Sequence, residues 1–285
     1  MLKQKMANNM LKRKIADKVF ILVLRIFTFL AVLPLVCVLS YIIFKGYSSL
    51  SWSIFTNLPA PVGETGGGMG NAIVGTLIIV ALGTLLSCPI GVFAGLWLAM
   101  YGKGKRGFLI RYCADVLSGV PTVVLGMVVY ILFVLPTQRL SAMAGGVALA
   151  VVMIPSITRT TEEMVKMVPR SLTESALALG IPQYRVSWSI VLRSAWNGIF
   201  SGLILAIARA LGETAPLLFT SFSNLYWNFS LNDPMASMTV QIYSYAISPY
   251  EDWQKMAWAG ALLLVASILL VTVLVKRFSK RVIYG

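Results

Sequence analysis

An arginine and a glutamate, Arg209 and Glu213, stand four residues apart inside a long apolar segment. In a helix this spacing places both side chains on one face, one turn apart. A charged side chain at the centre of a bilayer costs roughly 3 kcal/mol on insertion scales, so such residues usually have a function or hold a partner charge. A guanidinium presents a planar fork of donors that suits a tetrahedral oxyanion. The pair is therefore a candidate anion site.

Two interpretations of this pair remain open. In the first, Arg209 binds a passing anion, Glu213 holds the guanidinium between passages, and the adjacent Thr214 lies on the same pathway. Phosphate near neutral pH keeps a proton that a carboxylate can accept, whereas fully ionised sulfate offers none, so the pair would favour phosphate. In the second, the two charges form an internal ion pair that braces packed helices. Arginine before glutamate is the less favourable order for such a pair.

The composition is that of a membrane protein. Of the 285 residues, 58% are hydrophobic and 12% are charged, whereas soluble domains carry about 25% charged residues. A helix needs about 20 residues to cross the hydrocarbon core. Six apolar segments reach this length, at residues 19–44, 65–102, 116–138, 140–158, 196–222 and 256–275. We therefore expect an all-α polytopic membrane protein with six transmembrane helices.

The distribution of lysine and arginine predicts the orientation. If the amino terminus is cytoplasmic, 19 basic residues fall on the inner side and three, Lys45, Arg139 and Lys255, fall on the outer side. This is the asymmetry of the positive-inside rule, and it puts both termini in the cytoplasm. The net charge of +14 has the same explanation, together with attraction to anionic lipid, so nucleic-acid binding is not expected. The first apolar segment is too long for a signal peptide and is expected to remain as an anchor.

Small and helix-breaking residues predict local features of the spans. The polar cluster at residues 118–122 should weaken the third span, and residues 234–247 could form an amphipathic or partly re-entrant helix on the outer side. The glycine-rich run at 63–70 is expected to be a flexible lead into the second span rather than a phosphate cradle. Close helix packing in lipid is expected at small residues, namely Gly126, Gly145, Gly146 and Ala148.

The remaining charged residues on the inner side are expected to be structural. Asp115 should pair with Arg111 near the start of the third span. A solvated helix face is expected from four residues, Glu162, Glu163, Lys166 and Arg170. The sequence has no histidine, no metal-ligand spacing, no Gly-x-Ser-x-Gly and no P-loop. Neither an enzyme active site nor a metal or cofactor site is therefore expected, and the three cysteines, Cys37, Cys88 and Cys113, are expected to be apolar fillers.

The cytoplasmic segment at about residues 159–195 is predicted to fold as helix, break, helix. Glu174 stands in a first turn, where a carboxylate complements the helix dipole. Gly180, with Pro182 two residues later, predicts a helix end. A short basic amphipathic helix should follow from Tyr184. The two helices could lie among lipid headgroups, or they could form a rigid knob for a soluble partner.

The spacing of this segment resembles the EAA loop of ABC-transporter permeases. Six residues match that pattern: Glu174, Ser175, Ala176, Gly180, Ile190 and Leu192. The nine-residue gap between Gly180 and Ile190 is kept, while Ser175 replaces an alanine and Arg193 replaces the final proline. Further stretches resemble the phosphate-specific, PstA-type branch of these permeases, at residues 118–126, 159–162, 206–218, 232–237 and 248–253. The resemblance covers about residues 66–277.

The resemblance implies a MetI-like type-1 permease fold at residues 71–277, preceded by a first transmembrane helix and periplasmic loop at 19–70. Residues 1–18 and 278–285 would be cytoplasmic tails. It also implies the permease subunit of an ABC importer for inorganic phosphate in a bacterial inner membrane. ATP hydrolysis would then belong to a separate subunit, coupled through Glu174, Ala176 and Gly180.

The implied partners are a PstB-type ATP-binding homodimer, a homologous PstC-type permease, a PstS-type phosphate-binding protein and membrane lipid. Two alternatives stay open. One is an ABC permease for another oxyanion, such as phosphonate, sulfate or molybdate. The other is an ion-coupled secondary transporter, which would have no need of an EAA-type loop.

Overall fold

The computed structural model describes the backbone of residues 2–64 and 66–283, and the side chains of residues 13–64, 66–274 and 277. Regular structure in this part of the chain is entirely helical. Thr65 of the glycine-rich run, and most basic side chains of the two tails, lie outside these residues. The helices, with π-helical turns included in the helix that contains them, are α1 Leu2–Tyr47, α2 Ser53–Thr56, α3 Gly70–Met100, α4 Gly104–Gly119, α5 Thr122–Thr137, α6 Ala142–Lys166, α7 Arg170–Ala178, α8 Gln183–Leu211, α9 Ala215–Thr220, α10 Met238–Ala246 and α11 Glu251–Ile283.

Five of these helices, α1, α3, α6, α8 and α11, are long and apolar enough to cross a membrane. The third span was predicted as one continuous helix at residues 116–138, and this prediction is wrong because the segment is bent. The structure has two helices there, α4 and α5, that meet at 104°. Val120 is extended, with φ −72° and ψ 132°, because a residue that precedes proline is disfavoured in the helical region. The expected weak point at residues 118–122 is thus a full break.

The bent pair completes six crossings. The end of α1 meets the start of α11, where Gly46 lies against the backbone of Trp258. The start of α3 lies on the same face, since Gly260 of α11 lies against Met69, the residue before α3. Helix α3 leads away from that face, and α4 starts four residues after it ends. Helix α6 starts on the same face as the start of α3. Ala142 N–H donates to the carbonyl of Asp233 at 3.1 Å, and Asn71 at the start of α3 donates to the carbonyl of Asn224 in the same loop at 2.6 Å. Helices α4 and α5 together therefore connect the two faces.

Small residues hold the centre of the bundle together, as the sequence predicted. A Cβ built on Gly91 of α3 would lie 2.7 Å from Ile157 Cβ of α6, so the two backbones are in close contact. Gly146 is close to Leu82 in the same way, and Ala148 is fully buried. Gly126 of α5 lies against Pro216 of α9, with 2.5 Å between a built Cβ and the proline Cα. This last contact joins the bent pair to the segment that follows α8.

The end of the glycine-rich run, residues 67–70, is packed, which corrects the prediction of flexibility for this part, whereas Gly63 and Gly66 have open space around them. Gly68 N–H donates to the carbonyl of Leu58, and Met69 N–H donates to that of Ile54, both at 2.9 Å. A Cβ on Gly68 would lie 2.3 Å from the Ser53 carbonyl oxygen. Glycine is needed here because the loop folds directly onto α2, and Met69 is fully buried as a result.

Candidate functional site

The apolar segment that carries Arg209 and Glu213 is broken, not continuous. Helix α8 ends at Leu211, whereas the sequence predicted a span through residue 222. Gly212 and Glu213 close the end with N–H bonds to the carbonyls of Arg209 and Ala210, at 3.0 and 3.2 Å. The cause is Pro216, which has no N–H and whose ring would clash with the carbonyl of Gly212 in a continued helix. Proline is instead accepted in the first turn of α9.

The two charged groups are close to each other but differ in exposure. Arg209 Nε lies 3.5 Å from Glu213 Oε1, with 61% of the arginine side chain and 13% of the glutamate side chain exposed. Arg209 is in the last turn of α8, where the helix dipole favours a cation. Leu205, one turn earlier on the same face of α8, is apolar and 65% exposed. The arginine side chain is therefore accessible to an anion beside an exposed apolar neighbour.

Thr214, the third predicted pathway residue, directly follows Glu213 in the break and is half-buried. It occupies the N-cap position of α9 without a side-chain capping bond. Its carbonyl accepts the N–H groups of Leu217 and Leu218 at 3.1 and 3.2 Å. The structure therefore brings Arg209, Glu213 and Thr214 together around one interruption of the backbone.

A helix from the segment between α9 and α11 reaches the break after Leu211. Helix α10 lies within the range predicted to be re-entrant, and most of its residues are buried, with Val240 fully so. Thr239 of α10 donates its hydroxyl to the carbonyl of Glu213 at 2.9 Å. Sequence reasoning did not identify Thr239, because 26 residues separate the two and no local pattern marks the contact.

In the segment at residues 159–195 that resembles the EAA loop, α7 ends just before Gly180, as predicted. Gly180 has φ +76°, and it donates its N–H to Leu177 at 2.9 Å while Ile181 donates to Ala176 at 3.3 Å. This is a Schellman motif, which needs a left-handed residue at Gly180. Of the predicted coupling residues, Glu174 and Gly180 are exposed, whereas Ala176 is only 5% exposed and packs α7 onto the bundle.

The second helix of this loop is not a separate short helix, which corrects the prediction. It is the start of α8, which runs from Gln183 to Leu211 and contains a π-helical segment at Val186–Val191. Helix α7 thus connects, through a four-residue turn, to the helix that ends beside Glu213. A cavity of about 520 Å³ separates α7 from the ends of α3 and α6, and Lys103, Arg170 and Glu174 line it.

The charged residues of α4 and α6 form an ion network around the buried Glu162, against the predictions made for Glu162 and Asp115. The rest of the predicted solvated face is exposed, as predicted: Glu163, Lys166 and Arg170. Glu162 is 1% exposed, not solvated. Its Oε1 accepts from Arg111 Nε and Lys166 Nζ, both at 2.6 Å, and its Oε2 accepts from Arg159 at 3.3 Å. Asp115 pairs with Arg159 rather than with Arg111. One sequence signal could have predicted this network. Arg159 and Lys166 stand three residues before and four residues after Glu162, so each base lies one helical turn from the carboxylate.

Arg111 adds a second anchor to this network. Its guanidinium also donates to the carbonyls of Gly102 and Leu98, both at 2.9 Å, where α3 ends. One arginine of α4 therefore holds the end of α3 and a carboxylate of α6 together. Within the described residues no group of three His, Cys, Asp or Glu is placed to hold a metal. The chemistry that the arrangement offers is the handling of an anion by fixed charges.

Comparison with known proteins places the chain in a family. The family model described as "Binding-protein-dependent transport system inner membrane component" matches residues 91–284. The chain is 41% identical to the phosphate transport system permease protein PstA of Yersinia pestis, over 85% of this chain and 82% of that protein. It is 40% identical to the PstA protein of Pasteurella multocida, over 93% and 95% of the two chains.

The fold is similar to that of a solved transporter. A chain of the MetNI methionine ABC transporter in an inward-facing conformation superposes with a TM-score of 0.63 at 17% identity, covering 75% of this chain and 97% of that one. At this identity the likeness shows the fold alone, which is MetI-like and all-α. The chain is a multi-pass membrane protein, and it belongs to the family of binding-protein-dependent inner-membrane permeases, in the branch of the PstA proteins.

Proposed function

We propose that this chain is the permease subunit of an ATP-binding-cassette importer that carries inorganic phosphate across the cell membrane. The observation that carries the proposal is the place of Arg209. Its side chain is 61% exposed, beside a backbone break, and its Nε lies 3.5 Å from a carboxylate oxygen of Glu213. The relatives named for phosphate transport support the choice of anion. Arg209 binds the phosphate oxygens, Glu213 orients the guanidinium and accepts the phosphate proton, and Thr214 lines the path.

The alternative, an ion pair that only braces the fold, is weakened by the exposure of Arg209. The distance of 3.5 Å between Arg209 Nε and Glu213 Oε1 is long for a hydrogen bond. A broken helix at the same place favours a pathway, because irregular backbone at membrane depth is tolerated where it lines a cavity or is buried in protein.

The exposed face of α8 also supports the expected pairing with a second permease. Leu205 and Arg209 lie on this face at 65% and 61% exposure. Lipid would suit the leucine but not the arginine. A homologous PstC-type permease would cover this face and supply the other wall of the path.

The coupling loop supports the remaining partners. Two residues of this loop are exposed, Glu174 in α7 and Leu179 directly after it, the latter at 80%. A PstB-type homodimer of ATP-binding subunits would hold this helix and hydrolyse the ATP, while a PstS-type protein would deliver phosphate from the opposite face. Positive-inside asymmetry then puts α7 and both termini in the cytoplasm.

Reconstitution into proteoliposomes with the ATP-binding subunits, the partner permease and a phosphate-loaded binding protein tests the proposal. Arg209→Gln should abolish ATP-driven phosphate uptake at normal protein levels, and Arg209→Lys should restore little of it, because an ammonium has no planar fork. Arg139→Gln, in the outer turn between α5 and α6, makes the same chemical change and should leave uptake unchanged.

Three outcomes would contradict the proposal. Normal uptake by Arg209→Gln would leave the pair as a structural brace. Uptake driven by an ion gradient without ATP would favour a secondary transporter. The third outcome concerns other oxyanions. If sulfate, molybdate or phosphonate, each with its matching loaded binding protein, competes for uptake as well as phosphate does, the site belongs to another oxyanion.

A further inference from the structure

Two hydroxyl groups hold the first residues of helix α10 inside the molecule. Met238 N–H donates to Thr76 Oγ1 of α3 at 2.8 Å. Thr239 Oγ1 donates to the carbonyl of Glu213 at 2.9 Å. Both threonines are buried, at 5% and 6% exposure. The first residues of α10 are therefore tied to α3 on one side and to the break after α8 on the other.

The start of α10 has little freedom to move relative to α3. A Cβ built on Gly75 of α3 would lie 2.0 Å from the carbonyl oxygen of Ala236. Met235, just before it, is 1% exposed. The position of Thr239 is thus set by backbone contacts with α3, not by its own bond to Glu213.

The other end of α10 reaches the outer surface. Gln241 Nε2 donates to the hydroxyl of Tyr245 at 3.0 Å, and the Tyr245 ring lies 4.9 Å from that of Trp253 at the start of α11. Tyr250, which is 47% exposed, contacts the same tryptophan at 5.9 Å. One short helix therefore connects the outer surface to Glu213.

The carbonyl of Glu213 depends on Thr239 for its hydrogen bond. Since α8 ends at Leu211 and Leu217 N–H is bonded to Thr214, the Glu213 carbonyl accepts no backbone N–H among the described residues. A carbonyl at a helix break needs another donor. The orientation of this peptide unit sets the direction of the Glu213 side chain, which meets Arg209.

We infer that Thr239 is a positioning residue for the transport site: its hydroxyl fixes the Glu213 backbone, and so the Glu213–Arg209 geometry, from the outer-loop helix. This inference rests on the proposed pathway role of Arg209 and Glu213. It also assigns α10 as the element through which contact at the outer surface reaches the charged pair.

Three variants test the role of the hydroxyl in the reconstituted transporter, with phosphate imported per ATP hydrolysed as the readout. Thr239→Val keeps the shape but removes the donor, and should lower this ratio about three- to tenfold, as expected for one hydrogen bond. Thr239→Ser keeps the donor and should stay within about twofold of the parent. Thr84→Val is the matched control, because Thr84 of α3 donates only to Val80 of its own helix; it should change nothing.

A double-mutant cycle separates positioning from general structure. If Thr239 acts through Glu213, Thr239→Val should cause no further loss in a Glu213→Gln background, or in Glu213→Asp if Glu213→Gln leaves no measurable uptake. The inference is overturned if Thr239→Val behaves as the parent, if Thr239→Ser matches Thr239→Val, or if the losses of Thr239→Val and the Glu213 variant multiply. If instead Arg209→Gln and Glu213→Gln both transport normally, the pathway role proposed for this pair fails, whatever the result for Thr239.

Discussion

Arg111 Nε donates to Glu162 Oε1 at 2.6 Å, and this bond joins α4 to a carboxylate near the end of α6. Two further bases, Arg159 and Lys166, contact the same carboxylate. The side chain of Glu162 is 2% exposed. Its charge is thus compensated by neighbouring bases, and the two helices that supply them, α4 and α6, are held in one arrangement.

Removing that carboxylate should destabilise the protein strongly. Breaking a buried ion pair from one side costs about 3–5 kcal/mol, because the remaining charge is left without compensation. Glu162→Gln should therefore lower the thermal unfolding midpoint of the detergent-purified protein. Glu163→Gln is the matched control on the exposed side of the same helix, where substitutions change stability by about 0.5 kcal/mol or less. Equal midpoints for the two variants would contradict the assigned network.

The contact between Gly126 and Pro216 should not tolerate a methyl group. Gly126→Ala puts a Cβ 2.5 Å from the proline Cα, so α5 and α9 must separate and shift the break beside Glu213. We expect loss of phosphate uptake and a lower unfolding midpoint. Gly119→Ala, in α4, has open space around its Cβ and should be nearly silent. Uptake that survives Gly126→Ala at the parental rate would show that this packing does not position the site.

The end of the coupling helix should be sensitive to backbone conformation alone. Gly180 has φ +76° and nothing within 4 Å of a built Cβ, so Gly180→Ala tests strain without a clash. A left-handed non-glycine residue costs roughly 1–2 kcal/mol. We expect reduced stimulation of ATP hydrolysis by the loaded binding protein, with partial recovery in Gly180→Asn, because asparagine visits this region more readily. Identical stimulation in Gly180→Ala and the parent would exclude a conformational role.

The proposed orientation can be measured by cysteine labelling in a variant with Cys37, Cys88 and Cys113 replaced by serine. Leu179→Cys, on the coupling loop, should react with a membrane-impermeant thiol reagent only after permeabilisation. Arg139→Cys, in the turn between α5 and α6, should react in intact cells. Leu179 is 80% exposed directly after α7, and Arg139 is exposed in its turn. The reverse pattern would invert the topology and remove α7 from the cytoplasm.

Much of this protein was determined by the sequence itself, because the features concerned are local. Apolar length specified the membrane-crossing segments, and the spacing from Glu174 to Gly180 specified a helix and its end. The break after Leu211 is also local, because Pro216 lacks an N–H and cannot continue the helix. Gly180 needed a left-handed conformation whatever surrounded it.

The tertiary structure decided which charges and hydroxyls meet. Glu162 has the sequence environment of a solvated helix face, and only the packing of α4 against α6 buries it and brings Arg111 to it. Asp115 has a base one turn away, yet it pairs with Arg159, 44 residues later. Thr239 contacts Glu213 only because α10 folds back beside the break. Such contacts depend on how helices distant in sequence are placed, and charge or periodicity along one helix carries no information about that placement.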